Sequence, residues 1–399
     1  MTTADRWLLP DGVEELLPAQ AEQVEFLRRK LLDLYRSWGY ELVIPPLIEY
    51  TDSLLVGLGK DVDIQTFKVV DQLSGRTMGI RADITPQTAR MDAHSLNREG
   101  AVRLCYAGSV LYTKPKTLLG SRSPIQLGAE LYGDASLNSD VEVISLMLET
   151  VHGVGLTNIT LDLGHVGIYR ALIEASGLEG AAEQQLFDAL QRKSAVDIEA
   201  AISAGITNTK VADWMRALSQ LNGDRCVLDR ARQQLAEAPA AVLAAIDELQ
   251  KVSEQIARRM PQVNLYFDLS ELRGYHYHTG LVFAALVPGH GQAVANGGRY
   301  DHIGEVFGRA RPATGFNTDL KALLQYLAVE TSAATALSAI FAPADEGLSN
   351  EQADSLWRAV QALRESGEQV VSALAVDANS DAFKRQLIFK NKQWIVESI

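Results

Sequence analysis

The sequence predicts an α+β protein with a large first part, a helical insertion within it and a small α/β unit at the end. Three observations lead there. Strand-like runs at residues 102–132 and 159–163 stop and return at 263–286, on either side of a stretch from 177 with no strand pattern. From 177 to about 260 the composition turns to Ala, Gln and Glu with few aromatics and reads as helix after helix. Beyond a Ser-, Thr- and Ala-rich linker at 330–336, residues 337–399 alternate strand and helix. The expected division is a domain at 1–329 carrying the insertion at 177–262, the linker, and a C-terminal domain at 337–399.

Bulk composition narrows the function classes. A chain of 399 residues with 47% hydrophobic and 22% charged residues has enough apolar material for two or three soluble domains. The net charge of −13 opposes a large nucleic-acid footprint, which needs Lys and Arg in quantity. The final unit, with six basic against nine acidic residues, does not read as an RNA-binding surface. Cys105 and Cys226 are too few for a disulfide framework or a zinc site and fit a reducing cytoplasm. Residues 1–9 lack the apolar core of a signal peptide, and no apolar run reaches 18 residues, so no membrane span is expected.

Taken in order, Asp11-Gly12 and Pro18 prepare a helix start, where proline is tolerated. Val24, Leu27, Leu31, Leu34, Tyr35 and Trp38 then recur at three- and four-residue steps, an apolar face ending at Gly39. Core packing and a dimer contact both suit that face. Residues 40–44 read as a short strand stopped by Pro45-Pro46. Residues 66–70 and 77–81 form a hairpin pattern around Ser74-Gly75. Thr85 as N-cap and Pro86 behind it open a helix to about Ala93. Asp83 lies near that helix's positive end, either as part of a capping cluster or as a carboxylate aimed at a ligand's ammonium group.

Residues 102–107, 109–113 and 125–132 read as strands. In the last, Gln126, Gly128 and Glu130 share one face and Leu127, Ala129 and Leu131 the other. A solvated sheet face would explain the polar set, but a glycine between amide and carboxylate leaves room for a ligand and favours a pocket floor. Ser139 and Asp140 cap a helix over 141–154, followed by a strand at 159–163 and a helix at 166–176. After the insertion, 263–269 returns to strand.

The segment 272–280, Leu-Arg-Gly-Tyr-His-Tyr-His-Thr-Gly, is the densest in chemistry. On a strand, Tyr275, Tyr277 and Thr279 share one face, His276 and His278 the other, and Arg273 stands at the mouth. An edge strand and a pocket for a small polar ligand explain it equally. An apolar run at 281–286, Gly297-Gly298 within 296–301, Gly315 within 314–316 and a helix at about 318–329 follow. In the last unit, strands are expected at 337–342, 369–375 and 394–397, and helices at 350–366 and 380–389.

In this order the segments resemble the class II aminoacyl-tRNA synthetase fold, and histidyl-tRNA synthetase within it, from Trp7 to about Val329. Residues 40–46, 102–132 and 297–322 resemble the three class II motifs. Residues 273–280 resemble the histidine-specific segment, usually Arg-Gly-Leu-Asp-Tyr-Tyr, and Gln126, Gly128 and Glu130 match Gln-x-Gly-x-Glu. The resemblance implies an antiparallel sheet flanked by helices. It also implies a histidine pocket in which Asp83, Thr85 and Gln126 meet the α-amino and polar end, Glu130 the imidazole and Arg273 the carboxylate, with Tyr277 and His278 beside them. Asp83 replaces the family's Glu, His276 its Asp and His278 its second Tyr.

The nucleotide half departs further. Leu111 and Tyr112 stand where the synthetase's second motif carries a Phe and the Arg that grips the ATP α-phosphate. Asp319-Leu320-Lys321-Ala322 replaces Gly-Leu-Glu-Arg. Phosphoryl chemistry needs preorganised cations, which tyrosine and alanine do not supply; Asp319 repels phosphate, and Lys114 or Lys116 lacks a guanidinium's fork. ATP activation is therefore expected to be lost. A kept amino-acid pocket, a broken ATP site and a short acidic tail resemble the regulatory subunits of ATP phosphoribosyltransferase. That resemblance implies a non-catalytic subunit, a homodimer within a hetero-oligomer with the short-form catalytic subunit. Histidine would be the feedback effector on the first step of histidine biosynthesis, and no cofactor, metal, nucleic acid or membrane is expected. An active histidyl-tRNA synthetase, which Tyr112 and Ala322 oppose, and a structural dimeric scaffold with a vestigial pocket are the alternatives. His276 and His278 lack a third zinc ligand at a recognisable spacing.

Overall fold

The structure, a computed structural model, describes residues 7–55, 60–115, 120–327, 339–375, 380 and 382–399. It divides into two compact units, Met1–Leu16 with Val24–Leu327, and Leu17–Gln23 with Ala328–Ile399. The linker expected at 330–336 lies outside the described residues. No described helix is long and apolar enough to cross a membrane.

The larger unit is built on a nine-stranded sheet and a smaller three-stranded one. Its strands are β1 (Glu41–Leu42), β2 (Ile48–Tyr50), β3 (Phe67–Val70), β4 (Thr77–Ile80), β5 (Val102–Ser109), β6 (Ile125–Tyr132), β7 (Thr160–His165), β8 (Asn222–Gly223), β9 (Asn264–Asp268), β10 (Leu281–Leu286), β11 (Ala295–Arg299) and β12 (Ala313–Asp319). The large sheet runs β1-β5-β6-β12-β11-β10-β7-β9-β8, antiparallel except at β1–β5 and β7–β9. Pro45-Pro46 ends β1, which lies at the sheet edge, where a missing N–H costs no ladder bond. The hairpin β3–β4 carries β2 on its other side.

Helix Leu137–His152 crosses β10, β11 and β12 and is apolar nearly all round, as a helix inside a core must be. Helix Pro18–Ser37 adds Val24, Leu27, Leu31 and Tyr35 to the same core; Tyr35 sets its ring edge-on to Phe316 of β12 at 5.9 Å. Asp140 does not cap the first of these helices, and neither does Ser139. Ser136 takes the N-cap position, and Asp140, inside the first turn, pairs with Arg299 of β11. Between β7 and β9 the chain forms helix Val166–Ser176 and then, across the expected insertion, the helices Ala181–Gln191, Ala195–Gly205, Thr209–Gln220, Cys226–Gln234 and Ala240–Arg259. The last buries Val242, Ile246, Leu249, Val252 and Ile256, and this core is continuous with that of the sheet.

Other expectations are corrected. The strand expected at 109–113 is absent, since β5 already ends at Ser109. Thr85 does not cap its helix: Ile84 holds that position, the helix continues past Ala93 as a π-helical turn to Leu96, and the Thr85 hydroxyl goes to Glu130 instead. Segment 272–280 is a chain of turns and not a strand. Gly274 has φ +66°, and the amides of Tyr277 and His278 both donate to its carbonyl, at 2.8 and 2.7 Å. The helix expected from 318 starts behind Asp319, which caps it, and spans Leu320–Leu324.

In the small unit β13 (Ile340–Ala342), β14 (Val370–Ser372), β15 (Arg385–Lys390) and β16 (Gln393–Ser398) form a sheet ordered β14-β13-β15-β16. Helix Asn350–Glu365, opened by a Ser349–Gln352 capping box, packs Leu356 and Val360 on it. The helix expected at 380–389 is in fact strand β15. It turns into β16 through Asn391 and Lys392, both at positive φ, the geometry of a two-residue hairpin loop.

Candidate functional site

Glu130 occupies the middle of β6 and is 1% exposed. Its Oε1 accepts from the Thr85 hydroxyl at 3.0 Å and the Tyr106 hydroxyl at 2.9 Å, and its Oε2 accepts from the Tyr300 hydroxyl. Space for this cluster comes from glycine. Gly315 of β12 faces Glu130 across the ladder, and a Cβ there would lie 1.5 Å from Oε2. A Cβ on Gly128 would meet the Tyr106 hydroxyl at 2.5 Å, and one on Gly298 would meet His278 Nδ1 at 2.7 Å. Burial pushes the Glu130 carboxyl up to about 8, while its hydroxyl donors favour the charged form and hold the rise in check. Burial also raises the phenols of Tyr106 and Tyr300, which therefore stay protonated and donate.

Gln126, two residues back on the same face, ties the helix start to β6. Its Oε1 accepts from the Ile84 amide at 2.8 Å, and its Nε2 donates to Asp83 Oδ1 at 2.8 Å. That oxygen also accepts the Thr85 amide at 3.0 Å, so Asp83 supplies the local cap expected of Thr85. Tyr277 stacks on Tyr300, with centroids 4.9 Å apart and planes 24° apart, and its buried hydroxyl has no hydrogen-bond partner among the described residues. His278 Nδ1 lies 3.3 Å from the Arg299 carbonyl. Burial lowers His278 to about 4, so it is neutral at pH 7; with Nδ1–H donating to that carbonyl, Nε2 is an acceptor. Arg273 turns to Glu271, with Nη2 at 3.2 Å from Oε2. Arg273 and His278 line a narrow cavity with Asp162, Gly164, Glu271 and Gly297.

Hydrogen bonds thus join Asp83 to Gln126 and Thr85 to Glu130, and Tyr277 and His278 adjoin through Tyr300. Arg273 is held apart, on Glu271. In the segments matched to the nucleotide motifs, Tyr112 is buried and Asp319 Oδ1 accepts the amides of Lys321 and Ile125 at 3.0 and 3.3 Å. Arg122 is engaged by the carbonyls of Tyr112 and Asp11, both at 3.0 Å. Lys114 is exposed and Lys116 lies outside the described residues. Among the described residues no cluster of His, Cys, Asp and Glu is placed to hold a metal ion.

Residues 12–323 match the family Histidyl-tRNA synthetase, and residues 337–397 match the ATP phosphoribosyltransferase subunit HisZ C-terminal domain. The ATP phosphoribosyltransferase regulatory subunit of Pseudomonas paraeruginosa is 56% identical over 99% of both chains. This chain belongs to the ATP phosphoribosyltransferase regulatory subunits. A solved ATP phosphoribosyltransferase regulatory subunit/histidyl-tRNA synthetase from Bacillus halodurans superposes with TM-score 0.82 at 26% identity, covering 95% of this chain and 97% of that one. Histidyl-tRNA synthetase from Nostoc, at 16% identity and TM-score 0.75 over 98% and 94% of the two chains, shares the fold.

For a regulatory subunit with a synthetase-like fold, three site residues escaped the reading of the sequence: Tyr106, Tyr300 and Asp162. Each is placed by the glycine pattern. Tyr106 pairs with Gly128 across the β5–β6 ladder. Tyr300 stands two residues beyond Gly298, and Asp162 two before Gly164, which puts each on its glycine's face.

Proposed function

We propose that this regulatory subunit is non-catalytic, binds free histidine at the Glu130 cluster and transmits its occupancy to a short-form ATP phosphoribosyltransferase, as a homodimer within a cytoplasmic hetero-oligomer. One observation supports this above the rest. A buried carboxyl group, ringed by three hydroxyls on a glycine floor, is kept, whereas Asp319 in the nucleotide segment is spent as a helix cap. In either protonation state such a carboxyl can hydrogen-bond an imidazole nitrogen where water does not compete. The cavity between Arg273, Glu271, His278 and Asp162 measures about 10 Å³, room for a water and not for an amino acid; a histidine reaching from Glu130 to Arg273 therefore displaces the turns at 272–280. That shift is a natural source of the two states that feedback requires, and a differential affinity of about 1–3 kcal/mol between them is enough.

The test is reconstitution with a short-form catalytic subunit. The two proteins co-purify, phosphoribosyl-ATP synthesis depends on this chain, and histidine suppresses it. Histidine-dependent ATP–pyrophosphate exchange by the chain alone would establish a synthetase instead. No calorimetric binding at millimolar histidine, with or without the catalytic subunit, would leave only a scaffold.

A further inference from the structure

Glu271 holds Arg273 at both ends. Its Oε1 accepts the Arg273 amide at 2.7 Å, closing a turn, and its Oε2 accepts Nη2 at 3.2 Å. The side chain reaches this position over β7 because residue 164 is glycine, where a Cβ would lie 2.9 Å from that of Glu271. The Arg273 side chain remains 43% exposed, so the pair is not locked by packing. Beneath it, in the same cavity, Asp162 is 8% exposed and its Oδ1 has no hydrogen-bond partner among the described residues.

We propose that Glu271 is a positioning residue that withholds Arg273 from the ligand, so that the histidine carboxylate binds only by displacing it, with Asp162 taking up the charge imbalance as a proton. This rests on the reading that Arg273 meets the effector's carboxylate. An exposed ion pair is weak, so a competing carboxylate with further contacts displaces it. The groups facing Asp162 are Asp268 from β9, Glu271, Arg273 and His278 from the segment above, and Lys193 from the insertion, whose ammonium is already on Asp268 and Ser270. Burial, then Asp268 and Glu271, hold Asp162 up at about 7, with Arg273 and Lys193 pulling it down. Withdrawing Arg273 removes one of those two cations and raises Asp162 further. Histidine binding then takes up protons near neutral pH, and affinity falls as pH rises through that range.

The experiment is calorimetry of histidine binding to the full chain, at three pH values around 7 and in buffers of different ionisation enthalpy. Glu271→Gln keeps an amide oxygen for the Arg273 N–H but drops the charge. It is expected to bind histidine about two- to fivefold tighter. Asp162→Asn is expected to lose the proton uptake without that gain. Should Glu271→Gln not fold, Glu271→Ser, whose hydroxyl can close the same turn, carries the same expectation. Unchanged or weaker binding by the position-271 variant, while Arg273→Ala weakens the wild type, overturns the proposal and leaves the pocket standing. Wild-type affinity in Arg273→Ala overturns the role assigned to Arg273 and the proposal with it.

Discussion

Thr85 Oγ1 lies 3.0 Å from Glu130 Oε1, which ties the first turn of a helix to the middle of a sheet strand 45 residues further on. Valine at 85 has the same shape and no donor. Thr85→Val is expected to cost about 1–3 kcal/mol, since a buried carboxylate loses a partner, and to weaken histidine binding about tenfold. Thr85→Ser keeps the hydroxyl and stays close to wild type. Urea unfolding and calorimetry on the pair read both effects.

Glu130 makes stability pH-dependent on the alkaline side. Burial raises its carboxyl from 4.5 to about 8, so between those values the folded state holds more protons than the unfolded one. The stabilisation is complete below the lower value and is lost as pH rises through the upper. Glu130→Gln removes the titration. Urea titrations from pH 5 to 9 should show wild type losing stability relative to the variant, by a few kcal/mol at most.

His278 acts in the opposite window. Burial lowers it from 6.5 to about 4, so the folded state holds fewer protons in that range. Its contribution is present above the higher value and lost as pH falls toward the lower. His278→Asn retains an N–H for the Arg299 carbonyl and cannot titrate. Thermal melts between pH 4 and 7 should flatten in this variant, while the alkaline limb due to Glu130 remains.

The ion pair between Arg299 and Asp140, with Nη2 at 2.8 Å from Oδ2, fastens helix Leu137–His152 to β11, and both side chains are buried. Asp140→Ala leaves the Arg299 guanidinium with the half-exposed Asp301 as its remaining carboxylate, and is expected to cost about 3 kcal/mol, the low end for a broken buried pair. Lys390–Glu397, on the surface of the small unit, is the comparison; Glu397→Ala is expected to cost less than about 1 kcal/mol. Denaturant unfolding of the two variants separates the cases.

Local signals were readable in the sequence where neighbours along the chain decide the structure. Helix Val166–Ser176 ends at Gly177 because that residue takes φ +69°, the role glycine has there. The alternation in β6 placed Gln126 and Glu130 on one face, and the structure bonds both to the helix start at 83–85. The failures have non-local or conformational causes. Alternating Tyr and His at 275–278 imitate a strand, but the positive φ of Gly274 closes a turn that residue types alone do not reveal. Leu387 and Ile388 fit a helix face as well as a strand, and the Asn391-Lys392 hairpin lacks the glycine that would mark it. Tyr106 and Tyr300 reach Glu130 only through ladder register, which depends on partners far along the chain.

The floor of Gly128, Gly298 and Gly315 gives the site its dimensions from main chain alone. Rotamer adjustment therefore cannot widen or narrow it, and even one added methyl group collides with a donor or the carboxylate. Substitutions in the covering turns at 271–278, and not in this bed, are therefore the ones that can reshape the space above it.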